Sequence, residues 1–144
     1  MGFQADVRAA AVEVLVDYAA NAGIKLQVYP ARPRSIAPPT AFVDVIRESI
    51  DYVGITLRQR RATAEVIVIH GIFDSKEAAD QKDAFADGFL EWVTADYHAA
   101  GANTLVAVTA TEDVPDFVPN WLAPPAGTSV YYATRITVEG LSES

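Results

Sequence analysis

The chain has 144 residues, no cysteine and a formal net charge of −8. A chain of this length is predicted to form a single domain, residues 1–144, with a core that needs no disulfide bridges. The lack of cysteine excludes disulfides and thiolate metal sites. No apolar run approaches the roughly 20 residues that cross a bilayer, and the N-terminal segment lacks a basic leader. We therefore expect neither a membrane span nor a signal peptide.

The charge is distributed unevenly along the chain. Residues 25–61 hold seven basic and three acidic residues, a balance of +4, whereas the remainder has a balance of −12. A globally acidic chain is a poor general binder of nucleic acid. A basic segment on an acidic body instead suits contact between copies of one protein.

The first third of the chain predicts a helix, a short strand and a proline-rich segment. The helix runs from about Phe3 to Asn21, with its apolar residues on one face, and the segment Asn21-Ala22-Gly23 ends it. Alternating apolar residues predict a half-buried strand over Ile24–Tyr29. Pro30–Pro39 has four prolines in ten residues and suits neither helix nor ladder. It is interpreted either as a surface connector or as a semi-rigid arm that lies on a neighbouring subunit.

The next segment predicts an antiparallel hairpin. Thr40–Ile46 reads as a strand, Arg47–Ile55 as a polar connection, and a second strand begins near Thr56 and ends near Gly71. The arginine-rich start of this second strand is expected to project past the core. Val66–Ile69 is apolar without alternation, which predicts that this part of the strand is covered on both faces.

A long helix is predicted over Asp74–Tyr97. Asp74 or Ser75 can act as its N-cap, and Gly101 can end it. Large apolar residues at steps of three and four form one stripe that should pack on the sheet. The stripe consists of Phe85, Phe89, Trp92, Val93 and Tyr97.

The last part predicts two strands around a long loop. Asn103–Ala110 and Thr128–Glu139 are the strands, and the loop Thr111–Gly127 carries Phe117 and Trp121. Loops of this length in compact domains are usually functional or disordered, and the two aromatics argue against disorder.

The element order is therefore α-β-β-β-α-β-β. It predicts an α+β fold: a mostly antiparallel or mixed sheet of four to five strands, with two helices packed on one face. The other face is expected to be too apolar for solvent, which indicates an interaction surface, with self-association as the default.

Residues with catalytic potential are scattered. His70 with Asp74 resembles a base with its orienting acid, but no candidate nucleophile stands in a recognisable motif beside them. His98, near Asp96, suits the helix C-terminus that the sequence predicts there. The glycines match no phosphate-binding loop. A further set of acids has no calcium-loop spacing; it comprises Asp44, Glu48 and Asp51. We expect no catalytic, cofactor or metal site and no enzymatic activity.

Four stretches together resemble the tail terminator (tail-completion) proteins of long-tailed bacteriophages. They are VYPARPRSIAPPTAFVD (28–44), LRQRRATAEVIV (57–68), HGIFDSKEAADQKDAFADGFLEWV (70–93) and YYATRITVEG (131–140). The resemblance implies a virion assembly protein without cofactor, assembled in the host cytoplasm into a six-fold ring at the head–tail interface. Its implied partners are further copies of itself, the tail tube protein and a head-completion or connector protein. DNA would pass through the lumen without sequence-specific binding.

Seven residues are candidates for a subunit or partner interface: Arg32, Arg34, Arg58, Arg60, Arg61, Phe117 and Trp121. The three arginines of residues 58–61 have two possible targets. One is DNA phosphate in a ring lumen; the other, favoured by the charge balance, is the acids on a neighbour's long helix, namely Asp80, Asp83, Asp87 and Glu91. Two alternative functions remain: a neck or head-completion connector of the same particle, and a small α/β binding or enzymatic domain.

Overall fold

A computed structural model of the chain describes residues 2–52, 54–55, 58–94 and 106–143. The helices are α1 (Phe3–Ala22) and α2 (Lys76–Thr94), and a short 3-10 helix spans Ala126–Thr128. The strands are β1 (Gln27–Tyr29), β2 (Thr40–Tyr52), β3 (Arg58–Ile72), β4 (Val106–Phe117) and β5 (Tyr131–Glu143). They form one sheet in the order β1-β2-β3-β5-β4, with β1 parallel to β2 and every other pair antiparallel. The predicted α+β class and element order are confirmed.

Helix α1 forms where the sequence predicts it, because its apolar residues fall on one face. That face is buried, and Gly23 ends the helix in the left-handed conformation, with φ 69° and its N–H directed at the carbonyls of the last turn. The buried residues are Phe3, Val7, Ala10, Ala11, Val14, Leu15, Tyr18 and Ala19.

Helix α2 is capped by Ser75, whose Oγ accepts a hydrogen bond from the Ala78 N–H at 3.3 Å. The predicted stripe is confirmed where it is described, since Phe85 and Phe89 are buried and Trp92 and Val93 pack against the same core. The predictions for Tyr97, Asp96, His98 and Gly101, and for the strand start at Asn103, lie outside the described residues.

The two helices pack together on one face of the sheet. The Tyr18 ring of α1 meets the Phe85 and Phe89 rings of α2 edge-on, at centroid distances of 5.3 and 5.2 Å. Gly88 permits this approach, because a Cβ there would lie 2.5 Å from the Tyr18 hydroxyl oxygen. Below them, Val66 and Val68 of β3 belong to the same buried cluster. This cluster is the main core of the protein.

The opposite face of the sheet has its own cover. Phe42, Ile67 and Ile69 are buried there in a second cluster, together with Tyr131 and Ala133. Side chains of the proline-rich segment, of β1, of the end of β4 and of the following loop pack over them: Ile36, Tyr29, Val114, Phe117 and Trp121. The prediction that Val66–Ile69 is covered on both faces is confirmed. The expectation that this apolar patch needs a partner is wrong, because the chain covers it with its own segments.

The predicted hairpin boundaries need correction. Most of Arg47–Ile55 is strand and not a connection, because β2 continues to Tyr52. This part of β2 pairs with β3 without a register shift, with Arg47 opposite Thr63 and Tyr52 opposite Arg58. Backbone ladders do not require apolar side chains, so the polar composition concealed the strand.

Three other boundaries also differ from the sequence prediction. The first strand is shorter, since β1 begins only at Gln27 and Ile24 is 37% exposed. Strand β4 continues to Phe117 instead of ending at Ala110, with register shifts at Val108/Ala110 and Val114/Phe117 that disturb the alternation on which a strand prediction depends. Strand β5 begins three residues later and ends four residues later than predicted.

Candidate interaction surfaces

Two of the predicted interface residues hold the proline-rich segment against its own sheet. The Trp121 indole N–H donates a hydrogen bond to the Pro33 carbonyl at 2.9 Å. The Arg32 guanidinium lies 4.8 Å from the centre of the Trp121 ring, and its Nε donates to Asp44 Oδ1 at 2.6 Å. The proline-rich segment therefore packs on its own chain. Neither of the two interpretations of the sequence, a surface connector or an arm on a neighbouring subunit, included this packing.

Two further candidates flank this assembly. Phe117 ends β4, and its ring centre lies 6.2 Å from that of Phe42 and 6.0 Å from that of Trp121. Phe117 thus belongs largely to the cover of the second cluster. Arg34 is exposed on the proline-rich segment. An interface role for these residues stays a prediction, and it concerns only their outer surfaces.

The three arginines of residues 58–61 do not form one surface. Arg60 points toward the helix side, where its Nε and Nη2 donate to the Glu48 carboxylate at 3.0 and 2.8 Å and its Cζ lies 5.1 Å from the Phe3 ring. The Arg60 hydrogen bond lowers the pKa of Glu48 below its usual value. Arg61 points to the opposite face and lies 3.4 Å from Glu139. Successive side chains of a strand alternate between faces, which is why the cluster divides.

Arg58, in contrast, is exposed at the end of the β2–β3 hairpin, among exposed apolar side chains. This group, called here the hairpin end, comprises Ile50, Tyr52, Ile55 and Arg58. The exposed fractions of its three apolar members are 43% for Ile50, 74% for Tyr52 and 104% for Ile55. Sequence reasoning treated this region as a polar connection and missed the apolar residues. The recurrence of apolar residues within Arg47–Ile55 was the sequence signal that could have indicated them.

A second feature lies at the other end of the hairpin, between the two helices. This interhelical cleft has a volume of about 420 Å³, with Val68 and His70 of β3 as its floor. Tyr18 at the end of α1 and Phe85 of α2 line its walls. Its remaining lining residues are mostly apolar and comprise Ala22, Ile24, Leu26, Pro39, Gln81 and Ala84. The cleft could not be predicted from the sequence, because its residues come from four separate segments.

The rim of the interhelical cleft is acidic on the α2 side. Two more open depressions adjoin the cleft and share Gln81 with it. Glu77 lines both depressions, and Asp80 lines one of them. Both carboxylates belong to exposed residues. Asp80 also lies 3.5 Å from Lys76 one helical turn away. An apolar cleft with acids at its edge suits an apolar group that carries a neighbouring cation.

His70 is the one buried ionisable side chain at the floor of this cleft. It is 5% exposed, its Nε2 lies 2.9 Å from Thr134 Oγ1, and its ring centre lies 5.1 Å from that of Phe85. Burial lowers the pKa of His70 to about 4, with a smaller contribution from the Lys82 cation. The ring is therefore neutral at pH 7. Its hydrogen bond goes to Thr134, whereas Asp74, the candidate orienting acid, is exposed in the turn before α2.

Two further properties of the described part of the chain bear on function. Within residues 2–52, 54–55, 58–94 and 106–143, no group of three or more His, Cys, Asp or Glu side chains is placed to hold a metal ion. In the same ranges, neither helix is long and apolar enough to span a bilayer.

No protein-family model matches the chain. No curated protein shows significant similarity to it.

Proposed function

We propose that this chain is a structural virion assembly protein that forms a ring, caps a completed phage tail tube and provides the surface to which the head attaches. Its partners would be further copies of itself, the tail tube protein and a head-completion protein. The proposal rests on the sequence resemblance described above together with one structural observation, the hairpin end. Three apolar side chains are exposed there at one end of the sheet.

The hairpin end supports an assembly role because exposed apolar clusters mark interaction sites. The second core cluster has a cover from its own chain, and the proline-rich segment and the loop containing Trp121 supply it. Nothing comparable among the described residues covers Tyr52 or Ile55, which are 74% and 104% exposed. The proposed interaction surface is thus the hairpin end and not the apolar face of the sheet.

Ring formation requires two different surfaces on each subunit, one that meets the other on the next copy. The hairpin end and the interhelical cleft would be two such surfaces, the first with exposed apolar side chains and the second a recess. An acidic subunit also suits a channel through which DNA moves, because a net charge of −8 repels phosphate rather than retaining it.

The test is the native mass of the purified chain, measured by light scattering or native mass spectrometry, alone and with the tail tube protein. We expect a discrete closed oligomer of six copies, and binding of that oligomer to the end of assembled tail tubes in electron micrographs. A chain that stays monomeric at high concentration and ignores tail tubes would contradict the proposal.

The interhelical cleft favours a second candidate function, a small ligand-binding domain. An apolar cavity of about 420 Å³ with a buried, pKa-shifted histidine on its floor is a common form of small-molecule site. A screen of small apolar ligands by thermal shift distinguishes the two functions. Saturable stabilisation of a monomeric chain would favour the binding domain.

A further inference from the structure

We propose that the hairpin end of one copy docks in the interhelical cleft of the next, with Tyr52 and Ile55 entering the cleft and Arg58 meeting the acids at its rim. This inference deepens the proposed function and rests on it, since it names the two surfaces that join subunits. The occupant of the cleft is thus a second copy of this chain.

The first argument is the match between an apolar projection and an apolar recess. Ile55 is fully exposed and Tyr52 is 74% exposed, although both are large apolar side chains. The cleft offers about 420 Å³ between Tyr18 and Phe85, with Val68 in its floor. A volume of this size accommodates two such side chains, and their burial removes apolar surface from water on both partners.

The second argument is distance within the chain. The cleft lies beside Pro39, directly before β2, whereas Tyr52 is the last residue of β2. Strand β2 has 13 residues, so its two ends are separated by roughly 40 Å at about 3.3 Å per residue. The hairpin end cannot reach the cleft of its own chain. A contact between these two surfaces therefore joins different copies, and it joins them head to tail.

The third argument is charge. Arg58 is exposed beside the apolar residues of the hairpin end, and Glu77 and Asp80 are exposed beside the cleft. Lys76 lies near Asp80 and offsets part of this negative charge, but one carboxylate remains in excess. The planar guanidinium suits a carboxylate at an interface. Arg60 and Arg61 do not take part, because each already lies against an acid of its own chain.

Two variants separate the two surfaces. Ile55→Asp places a charge on the projection and leaves the cleft intact. Ala84→Trp fills the cleft from an exposed position of α2 and leaves the projection intact. Each variant alone is expected to lose ring assembly and to sediment as a monomer, with unchanged far-UV circular dichroism. Val16→Asp, at a 47% exposed apolar position of α1, is the matched control and should assemble like the parent chain.

Mixing the two variants gives the deciding result. The intact hairpin end of Ala84→Trp can enter the intact cleft of Ile55→Asp, but neither product can extend further. We therefore expect a one-to-one heterodimer and no ring. A mixture that remains monomeric, although each variant is folded, would overturn the contact. So would rings formed by either variant alone.

The charge pairing has its own readout. Arg58→Glu should weaken the heterodimer about tenfold when introduced on the Ala84→Trp partner, and Glu77→Arg on the Ile55→Asp partner should partly restore it. Equal affinities in all combinations would remove Arg58 from the contact.

If the variants all form rings, the contact is wrong while the proposed function stands. If the unaltered chain forms no ring even with tail tubes, the proposed function fails and this contact fails with it.

Discussion

The two ends of the β2–β3 hairpin share one backbone ladder but differ in how far their side chains are buried. At the inner end, Thr40–Val43 and Val66–Ile69 are buried on both faces, under the helices on one side and under the aromatic cover on the other. At the hairpin end, β2 and β3 remain paired up to Tyr52 and Arg58, yet the side chains are exposed or engaged in ion pairs.

This difference shows that continuous strand pairing does not distribute stability evenly. Backbone hydrogen bonds contribute little net free energy, whereas burial of apolar surface is the dominant favourable term. The inner end should therefore carry most of the stability of the domain. The side chains of the hairpin end should contribute little to the free energy of unfolding, because they are mostly exposed.

The largest expected effect comes from the inner end. Phe42 is fully buried in the second cluster, with Trp121 and Phe117 rings against it. Phe42→Ala should lower the free energy of unfolding by about 3–5 kcal/mol, the range for truncating buried aromatics. Tyr52→Ala at the hairpin end, measured on dilute monomer, should change it by less than about 0.5 kcal/mol. Urea denaturation of both variants gives the comparison, and similar losses would show that the ends are equivalent.

A smaller effect at the inner end depends on pH. The pKa of His70 falls from 6.5 in the unfolded chain to about 4 in the folded protein, because burial disfavours the imidazolium. Above pH 6.5 both states hold a neutral ring. As the pH falls toward 4, only the unfolded state gains the proton. The free energy of unfolding should therefore decrease by about 3 kcal/mol over this window.

The control for this pH effect is His70→Gln, in which that portion of the pH dependence should disappear. Titrating carboxylates are common to both proteins, so the difference between their stability curves isolates His70. Parallel curves between pH 6.5 and 4 would mean that the His70 ring is accessible to solvent.

The smallest effect belongs to the outer part of the hairpin. Arg61 and Glu139 form an ion pair at 3.4 Å across β3 and β5, and their side chains are 47% and 31% exposed. Exposed ion pairs contribute about 0–1 kcal/mol. Arg61→Ala should therefore lower the free energy of unfolding by less than about 1 kcal/mol, and by less still in 1 M salt. A salt-independent loss would point to packing of the arginine stem instead.

The sequence predicted the helices well because periodic apolar residues identify the buried face directly. The stripe of α2 from Phe85 to Val93 and the termination of α1 at Gly23 follow from local rules that tertiary contacts did not override. The unbroken apolar run of β3 likewise indicated burial on both faces.

Boundaries and surfaces were harder to predict, for physical reasons. The outer half of β2 mixes Ile50 and Tyr52 with polar residues and has no buried side chain, so the pattern of a half-buried strand is missing there. Strand β4 contains Pro115, which an edge strand tolerates but which reads as a break in the sequence. The covering role of Trp121 depends on Pro33, 88 residues away. The interhelical cleft depends on contacts of the same long-range kind.

The chain contains two tryptophans, and they lie on opposite sides of the sheet. Trp92 packs in the helical layer, 5.3 Å from the Tyr18 ring, whereas Trp121 belongs to the cover on the other face. Each indole is thus a separate optical reporter of one layer. Replacing one or the other by phenylalanine lets emission follow the opening of each layer alone, so that a cooperative domain is distinguished from one that sheds its cover first.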